Sequence, residues 1–434
     1  MVGGVTDKED TMLGSIRKPI DNVRTLREKE VRRLMLRIAF GAWIVVLGVM
    51  VALVAGRLQK PLLRQLPSGE VHMAYSTSAS VIYASIGGDS LKPGIYRSDD
   101  GGVNWQRMGN VEDRAVQDLD VDPFDGDVVY AGTEGGPMED SESLWVSEDG
   151  GRSWKAYMLR LPVSPDRILP TVTSIAADPN QQGVLYVGTL GQGVYRFYDD
   201  HLGGYGYELV GGAVSPVANA FVNDLKIGSD GRVYALTSSG LFAGDGRSWE
   251  KLPLPELAAS LTVDPRDPTI LYAGGVSMGA YRSVDAGRTW QPIVNGLTQV
   301  PGTALRVSAI TVDERHPNRV VLATSYGVGR QLVPQGIYES NDAGNSWRQM
   351  AEVDYVVESL SIHQGVVSAT TENGLDRYGE MVEPKLILAL PDLRALANPS
   401  IVQIIIMILA VLLAGMALGG RMGGASGHQG LPAA

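Results

Sequence analysis

Ser283–Trp290 reads SVDAGRTW, and the same frame returns as SDDGGVNW at Ser98–Trp105, SEDGGRSW at Ser147–Trp154 and SNDAGNSW at Ser340–Trp347. All four obey S-x-D-x-G-x-[TSN]-W, far beyond chance for a pattern with tryptophan at a fixed place. A carboxylate at Asp100, Asp149, Asp285 or Asp342 can accept backbone N–H bonds across a tight turn. The glycine two residues on (Gly102, Gly151, Gly287, Gly344) supplies a positive φ that a side chain resists. The tryptophan (Trp105, Trp154, Trp290, Trp347) begins the next strand and offers a large apolar area for packing between sheets. These residues build a turn and are not set up to react.

Upstream of the boxes runs a second repeated element, an apolar alternation, an Asp-Pro turn and a further strand. It reads VQDLDVDPFDGDVVYAGT from Val116, VTSIAADPNQQGVLYVGT from Val172, LTVDPRDPTILYAGG from Leu261 and ITVDERHPNRVVLATS from Ile310. Each is a β-hairpin by its period and turn residues. Weaker copies complete the series. Around Trp249, Gly246 is kept and Asp245 sits one residue late. Between Gly193 and Tyr207 the box is lost, with Tyr207 in the tryptophan's place, and VVSATTENGLDRYGEMV from Val366 keeps only the strand rhythm. First strands near Val71, Val116, Val172, Phe221, Ala259, Val307 and Val357 count seven units. The expected fold is an all-β propeller of seven four-stranded antiparallel blades over residues 69–395, with six blades the alternative.

Two apolar stretches flank the repeats. Residues 38–56 (IAFGAWIVVLGVMVALVAG) carry no charge, and in residues 401–420 (IVQIIIMILAVLLAGMALGG) only Gln403 interrupts the run. Both have the length and composition of a transmembrane helix. A cleaved signal peptide, the alternative for the first, is disfavoured by the long charged leader before it. Nine Lys/Arg precede the first span, against Arg57, Lys60 and Arg64 just after it, so residues 1–37 are expected in the cytoplasm. The expected order is this basic segment, the first span, a linker at 57–68, an extracytoplasmic propeller, the second span and a Gly-rich cytoplasmic tail at 421–434. Residues 20–37, alternating charged and apolar, suit either an anionic leaflet or a solvated helix.

The four boxes resemble those of the BNR/Asp-box β-propeller superfamily, over roughly residues 69–395. That superfamily includes sialidases, xyloglucanases, the luminal domain of sortilin-type receptors and the photosystem II assembly factor type of propeller found outside the cytoplasm. The strand pattern is most similar to the last type and to bacterial glycosyl-hydrolase-like repeat proteins. The resemblance implies the fold; function has to come from a site.

A sialidase-like site would show an Arg-Ile-Pro element, three converging arginines and a Tyr–Glu pair, and no such motif is visible. Arg97 and Arg282 recur just before a box, which assigns them to their own blades. A polysaccharide hydrolase needs two carboxylates across a cleft and, usually, exposed tryptophans. Of the seven tryptophans Trp43 falls in the first span, five close box-like turns, and Trp145 shares the strand register of Tyr96, Tyr281 and Tyr338. The clusters Glu139, Asp140, Glu142 and Asp199, Asp200 read as solvated loops. His72, His201, His316, His363 and His428 lack metal-ligand spacing, and with no cysteine a thiol site is excluded. No cofactor or metal is expected.

The net charge of −11 conceals a basic N-terminal region, so the repeats are more acidic than the total, which disfavours nucleic acid as a partner. No N-x-S/T acceptor with a permitted middle residue occurs, in keeping with a prokaryotic cell membrane. The expected function is a membrane-anchored, non-catalytic module for protein interaction or complex assembly. Its partners would be the bilayer and a membrane or extracytoplasmic protein complex. The alternative is a surface glycoside-binding protein or glycosyl hydrolase, with glycan as its ligand.

Overall fold

The computed structural model describes residues 62–379, apart from 64–65, 77–79, 88–89, 91, 110, 112–114, 135–142, 158–170, 200–204 and 211–214, together with Phe40, Gly41 and Trp43. The spans expected at 38–56 and 401–420 lie outside these residues, except that Phe40, Gly41 and Trp43 are helical. Among the described residues no helix is long and apolar enough to cross a membrane. The chain divides into a unit of residues 1–380, which holds the propeller, and one of residues 381–434, outside the described residues.

Every apolar alternation seen in the sequence becomes the first strand of a sheet. Seven such strands stand round a central axis: Val71–Tyr75, Val116–Val121, Val172–Ala177, Val222–Ile227, Ala258–Val263, Ala304–Val312 and Val357–His363. They open blades 1 to 7, so the count is seven and not six. Blades 2 to 6 each hold four antiparallel strands in sequence order from the axis outward. Blade 1 has a fifth, because Leu62–Leu63, in the stretch read as a linker, pairs outside Trp105–Arg107. Blade 7 has three among the described residues.

The second strand of a blade is covered on both sides by neighbouring sheets, and its residues show it. Val129–Thr133, Val233–Thr237 and Leu271–Gly275 are buried throughout, with a tyrosine at matching places (Tyr130, Tyr234, Tyr272) at 0% exposure. Apolar clusters therefore lie between blades. One joins Tyr130, Leu144 and Val146 of blade 2 to Ile175, Leu185 and Phe197 of blade 3. In blades 2 to 5 and 7 the first strand carries a bulge at its second residue and in blade 6 at its fifth, Ser308, whereas blade 1 pairs without one. A bulge of this kind re-aims the side chains that follow it.

The disc has two faces. The boxes and the Asp-Pro turns lie on one, here the box face. The first strands begin on the other, the mouth face, together with the loops between second and third strands. Blade 6 is taller than the rest there. Its second and third strands run Val320–Val328 and Gln331–Ser340 against five or six residues in most blades, and turn at Gly329–Arg330. Among the described residues the ring closes between blades 7 and 1 without a shared strand. Side chains do it instead: the Tyr75 hydroxyl bonds to that of Ser361, Tyr75 stacks on His363 at 5.1 Å, and Arg377 Nη2 donates to the Gly101 carbonyl at 2.7 Å.

Candidate functional site: the boxes, the channel and its mouth

The sixteen box residues are distributed over blades 1, 2, 5 and 6, and each box closes on itself. The serine is the hub, a part that the sequence reading did not assign to it. Its hydroxyl donates to the aspartate Oδ1 (2.9 Å at Ser98 and Ser147, 2.8 Å at Ser283, 2.7 Å at Ser340). It also accepts from the N–H of the aspartate at 3.3 Å and of the glycine at 2.8 Å in every copy. The aspartate then accepts the backbone N–H four residues on, and the side chain of that residue donates to its other oxygen at 2.6–2.7 Å. These bonds, led by Thr289 at Asp285 and by Ser346 at Asp342, bring both carboxyls down to about 2.

Gly102, Gly151, Gly287 and Gly344 have φ of 88, 82, 84 and 88°. The residue before each is left-handed too: Gly101, Gly150, Ala286 and Ala343, the last two at 58 and 57°. Three indoles donate to the carbonyl of their own box glycine, at 3.0 Å for Trp105 and Trp290 and 3.2 Å for Trp154. Trp347 instead donates to Ile293 of blade 5 at 2.7 Å. Arg97 bonds Asp99, the Tyr83 hydroxyl and Asp127 at 2.7–2.9 Å, and Arg282 lies over the Tyr272 ring at 5.7 Å. Arg282 thus stays within its own blade as expected, whereas Arg97 ties blade 1 to Asp127 in the first turn of blade 2.

Blade 4 has the short box, and there Asp245 Oδ1 accepts from the N–H groups of Arg247 and Ser248 at 2.9 Å. A depression of about 450 Å³ lies beside this turn, lined by Asp230, Arg232, Asp245, Ser248, Trp249 and Glu250. In blade 3, Tyr207 stacks on Phe197 at 5.5 Å. Glu139, Asp140, Glu142, Asp200, His201 and His428 lie outside the described residues, and Asp199 ends a strand.

A second constellation gathers in the channel. The first strand of each blade is a sheet edge, so alternate N–H groups face the axis without a strand partner. Asp118 and Asp120 of blade 2 fill that need, accepting at 2.8 Å from Ile175 and Ala177 of blade 3; Ser174 accepts from Leu225 of blade 4 at 3.0 Å. Lys226 pairs with Asp224 at 2.8 Å, and its side chain stays 42% exposed because the channel holds space. Burial among seven blades raises Asp118 and takes Asp120 up to about 7. Desolvation opposes charge on Lys226, yet Asp224, Asp118 and Asp120 hold it up.

Toward the mouth, His72 sits 3.6 Å from Glu70. Burial pulls the imidazole down, but Glu70, Asp118 and Glu358 outweigh it and its pKa rises. Burial and Glu70 together raise Glu358. Residues from blades 1, 2, 4 and 7 thus share one field, with carboxylates in excess. His72 and His363, scattered in the sequence without metal-ligand spacing, are built into the channel wall and the closing seam; His316 is at the surface beside Asp313 at 3.5 Å. Among the described residues no group of three or more His, Asp or Glu is arranged to hold a metal ion.

The mouth face also exposes large apolar side chains: Leu190 (38%), Phe221 (40%), Leu257 (47%), Met278 (54%), Val328 (53%) and Leu332 (44%). Their loops are well held. Both Glu256 oxygens grip the Met278 loop, through the N–H groups of Ser277 and Met278 at 2.8 Å.

The architecture is that of a seven-bladed β-propeller with four-stranded antiparallel blades, and comparison with known proteins places it among such propellers. No family model matches the chain, and no curated protein sequence does. Solved structures do. The GH74 enzyme of Niastella koreensis superposes with a TM-score of 0.55 at 16% identity, over 72% of this chain and 53% of its own. The GH74 xyloglucanase of Xanthomonas campestris gives 0.55 at 17%, over 73% and 53%. YCF48 bound to a D1 peptide gives 0.53 at 16%, over 75% of this chain and 96% of its own. The chain spans about half the length of the GH74 enzymes and nearly all of the YCF48 chain. At such identities the likeness is one of fold.

Proposed function

We propose that this propeller is a membrane-anchored, non-catalytic module that presents its channel mouth to a basic extracytoplasmic segment of a membrane protein, assisting assembly of a complex. The observation that carries this reading is the acidic mouth. Glu70, Asp118 and Glu358 are close enough together to raise the pKa of His72, which is the field a Lys- or Arg-bearing segment would enter. The carboxylates deeper in the channel are occupied: Asp120 holds a neighbouring strand and Asp224 holds Lys226. Such groups suit recognition better than general acid–base work. The apolar stretches at 38–56 and 401–420 support anchoring at both ends, which raises the effective concentration of membrane neighbours. A propeller matched over 96% of its length was solved with a peptide bound, which favours the same use here.

The test is purification of the full chain from membranes in mild detergent, followed by mass spectrometry. A stoichiometric membrane complex is expected, and the double variant Glu70→Lys, Glu358→Lys should lose it while still unfolding in one cooperative transition. A chain that runs alone and hydrolyses glycans would sink the reading. Glycan binding, the second reading, has the blade 4 depression in its favour, since an indole beside carboxylates and a guanidinium is a composition that sugars use. Titration with oligosaccharides, native chain against Trp249→Ala, tests it.

A further inference from the structure

The apolar side chains left on the surface are not spread evenly between the two faces. Leu190, Phe221, Leu257, Met278, Val328 and Leu332 all stand at mouth-face ends of strands or in mouth-face loops, whereas on the box face only Phe124 and Val284 are comparable among the described residues. Isolated apolar residues need no explanation, but a bias toward one face does.

The direction of the chain says what lies there. Leu62 pairs with Gln106 and Leu63 with Trp105, antiparallel. The Trp105–Arg107 strand leaves its box and runs toward the mouth face, so the chain arrives at Leu62 from the mouth side and heads toward the boxes. Only residues 57–61 separate the apolar stretch 38–56 from Leu62. Five residues and their flanking bonds reach about 20 Å at full extension. Blade 1 is therefore tethered, on its mouth side, within that distance of whatever residues 38–56 occupy.

We infer that the mouth face lies against the bilayer, with the blade 6 hairpin and the Met278 loop entering the lipid interface. The inference rests on residues 38–56 being a span. The hairpin has the chemistry for it. Val328 and Leu332 flank the turn on either side, and Arg330, exposed at the tip, is a cation able to meet headgroup phosphate while its stem stays in the apolar layer. The extra three or so residues in each of its strands lift the tip about 10 Å, comparable to the depth of an interfacial layer. Lipid is favoured over a second copy of this chain because the tether fixes this face near membrane at any protein concentration.

The absence of cysteine makes the test direct. Single variants Met278→Cys, Val328→Cys, Phe124→Cys and Val284→Cys are labelled with an environment-sensitive dye in the full chain, reconstituted in phosphatidylcholine vesicles. Lipid-borne doxyl quenchers should dim the dyes at 278 and 328 several-fold more than those at 124 and 284, with aqueous iodide giving the reverse order. Equal doxyl quenching on both faces overturns the inference. So does shielding of 278 and 328 from both quenchers, which would mean a protein cover. If alkaline carbonate strips the protein from the vesicles, the span reading fails and takes this inference with it. If the protein stays and only iodide reaches 328, the inference alone fails.

Discussion

In the boxes the chain turns by means of residues within eight positions of one another, and at the mouth face it turns by leaning on the next blade. Ser283, Asp285, Gly287 and Thr289 complete one another's hydrogen bonds with no outside help. The Met278 loop, by contrast, is held by Glu256 twenty-two residues earlier and by Leu305 of blade 6, whose carbonyl accepts from Gly279 at 3.0 Å. Leu190 likewise bridges to Phe221 across blades 3 and 4. The Ser-Asp-Gly turns of the boxes are thus self-contained fasteners, with longer side chains such as Arg97 and Arg377 tying neighbouring blades, while the mouth-face loops form a collective surface.

The largest expected effect comes from removing one fastener. Ser283→Ala takes away a buried hub and leaves the N–H groups of Asp285 and Gly287 short of a partner, costing about 2–3 kcal/mol in urea unfolding. Met278→Ser, on the mouth face, should leave the urea midpoint almost unchanged. Equal losses in the two variants would erase the distinction between the faces.

A smaller effect is expected at the seam. Arg377→Ala removes the bond to Gly101 that ties blade 7 to blade 1, for a loss of about 1–2 kcal/mol. A neutral result by calorimetry would mean that closure rests elsewhere.

Acid and base separate the regions further. Asp120 is an acid whose pKa the fold raises from 3.8 to about 7, so folding takes up a proton and its contribution worsens as pH climbs through that window. His72 acts in the same sense, its support being full below its ordinary 6.5 and lost as pH rises through the higher folded value. Asp285 and Asp342 act oppositely, supporting the fold above 3.8 and ceasing to as pH falls toward about 2. Asp120→Asn should therefore flatten the fall in melting temperature between pH 4 and pH 7 and leave the acid limb in place. An unchanged slope would show that Asp120 is not the group titrating.

The smallest effect tests the turn itself. Ala286 sits where blades 1 and 2 have glycine, in the left-handed region. Ala286→Gly relieves about 1 kcal/mol of that strain but frees the unfolded chain by a similar amount. The net change should stay within about 0.5 kcal/mol by urea titration. A large gain would mean that the box is strained rather than matched to its residues.

How much of this was open to a reader of the sequence follows from the same division. The box frame and the hairpins were legible because their causes lie a few residues apart, and counting first strands gave seven blades. The channel was not. His72, Asp118, Lys226 and Glu358 come from four blades, and each alone looks like an ordinary surface residue; only ring closure makes them neighbours. The tall hairpin of blade 6 continues an alternation already in the sequence, so nothing in Val320–Ser340 marks where the sheet outgrows its companions. Trp347 was read like the other box tryptophans, and its bond to Ile293 depends on where the neighbouring blade happens to end.

Among the described residues, Tyr75, Ser361, His363 and Arg377 stand in for a common strand where blades 7 and 1 meet, and such a joint makes the disc a split washer. Tension applied between the two ends of the ring would be felt there first. It would spread the gap before peeling any sheet, and slackening would let the same four residues snap shut again.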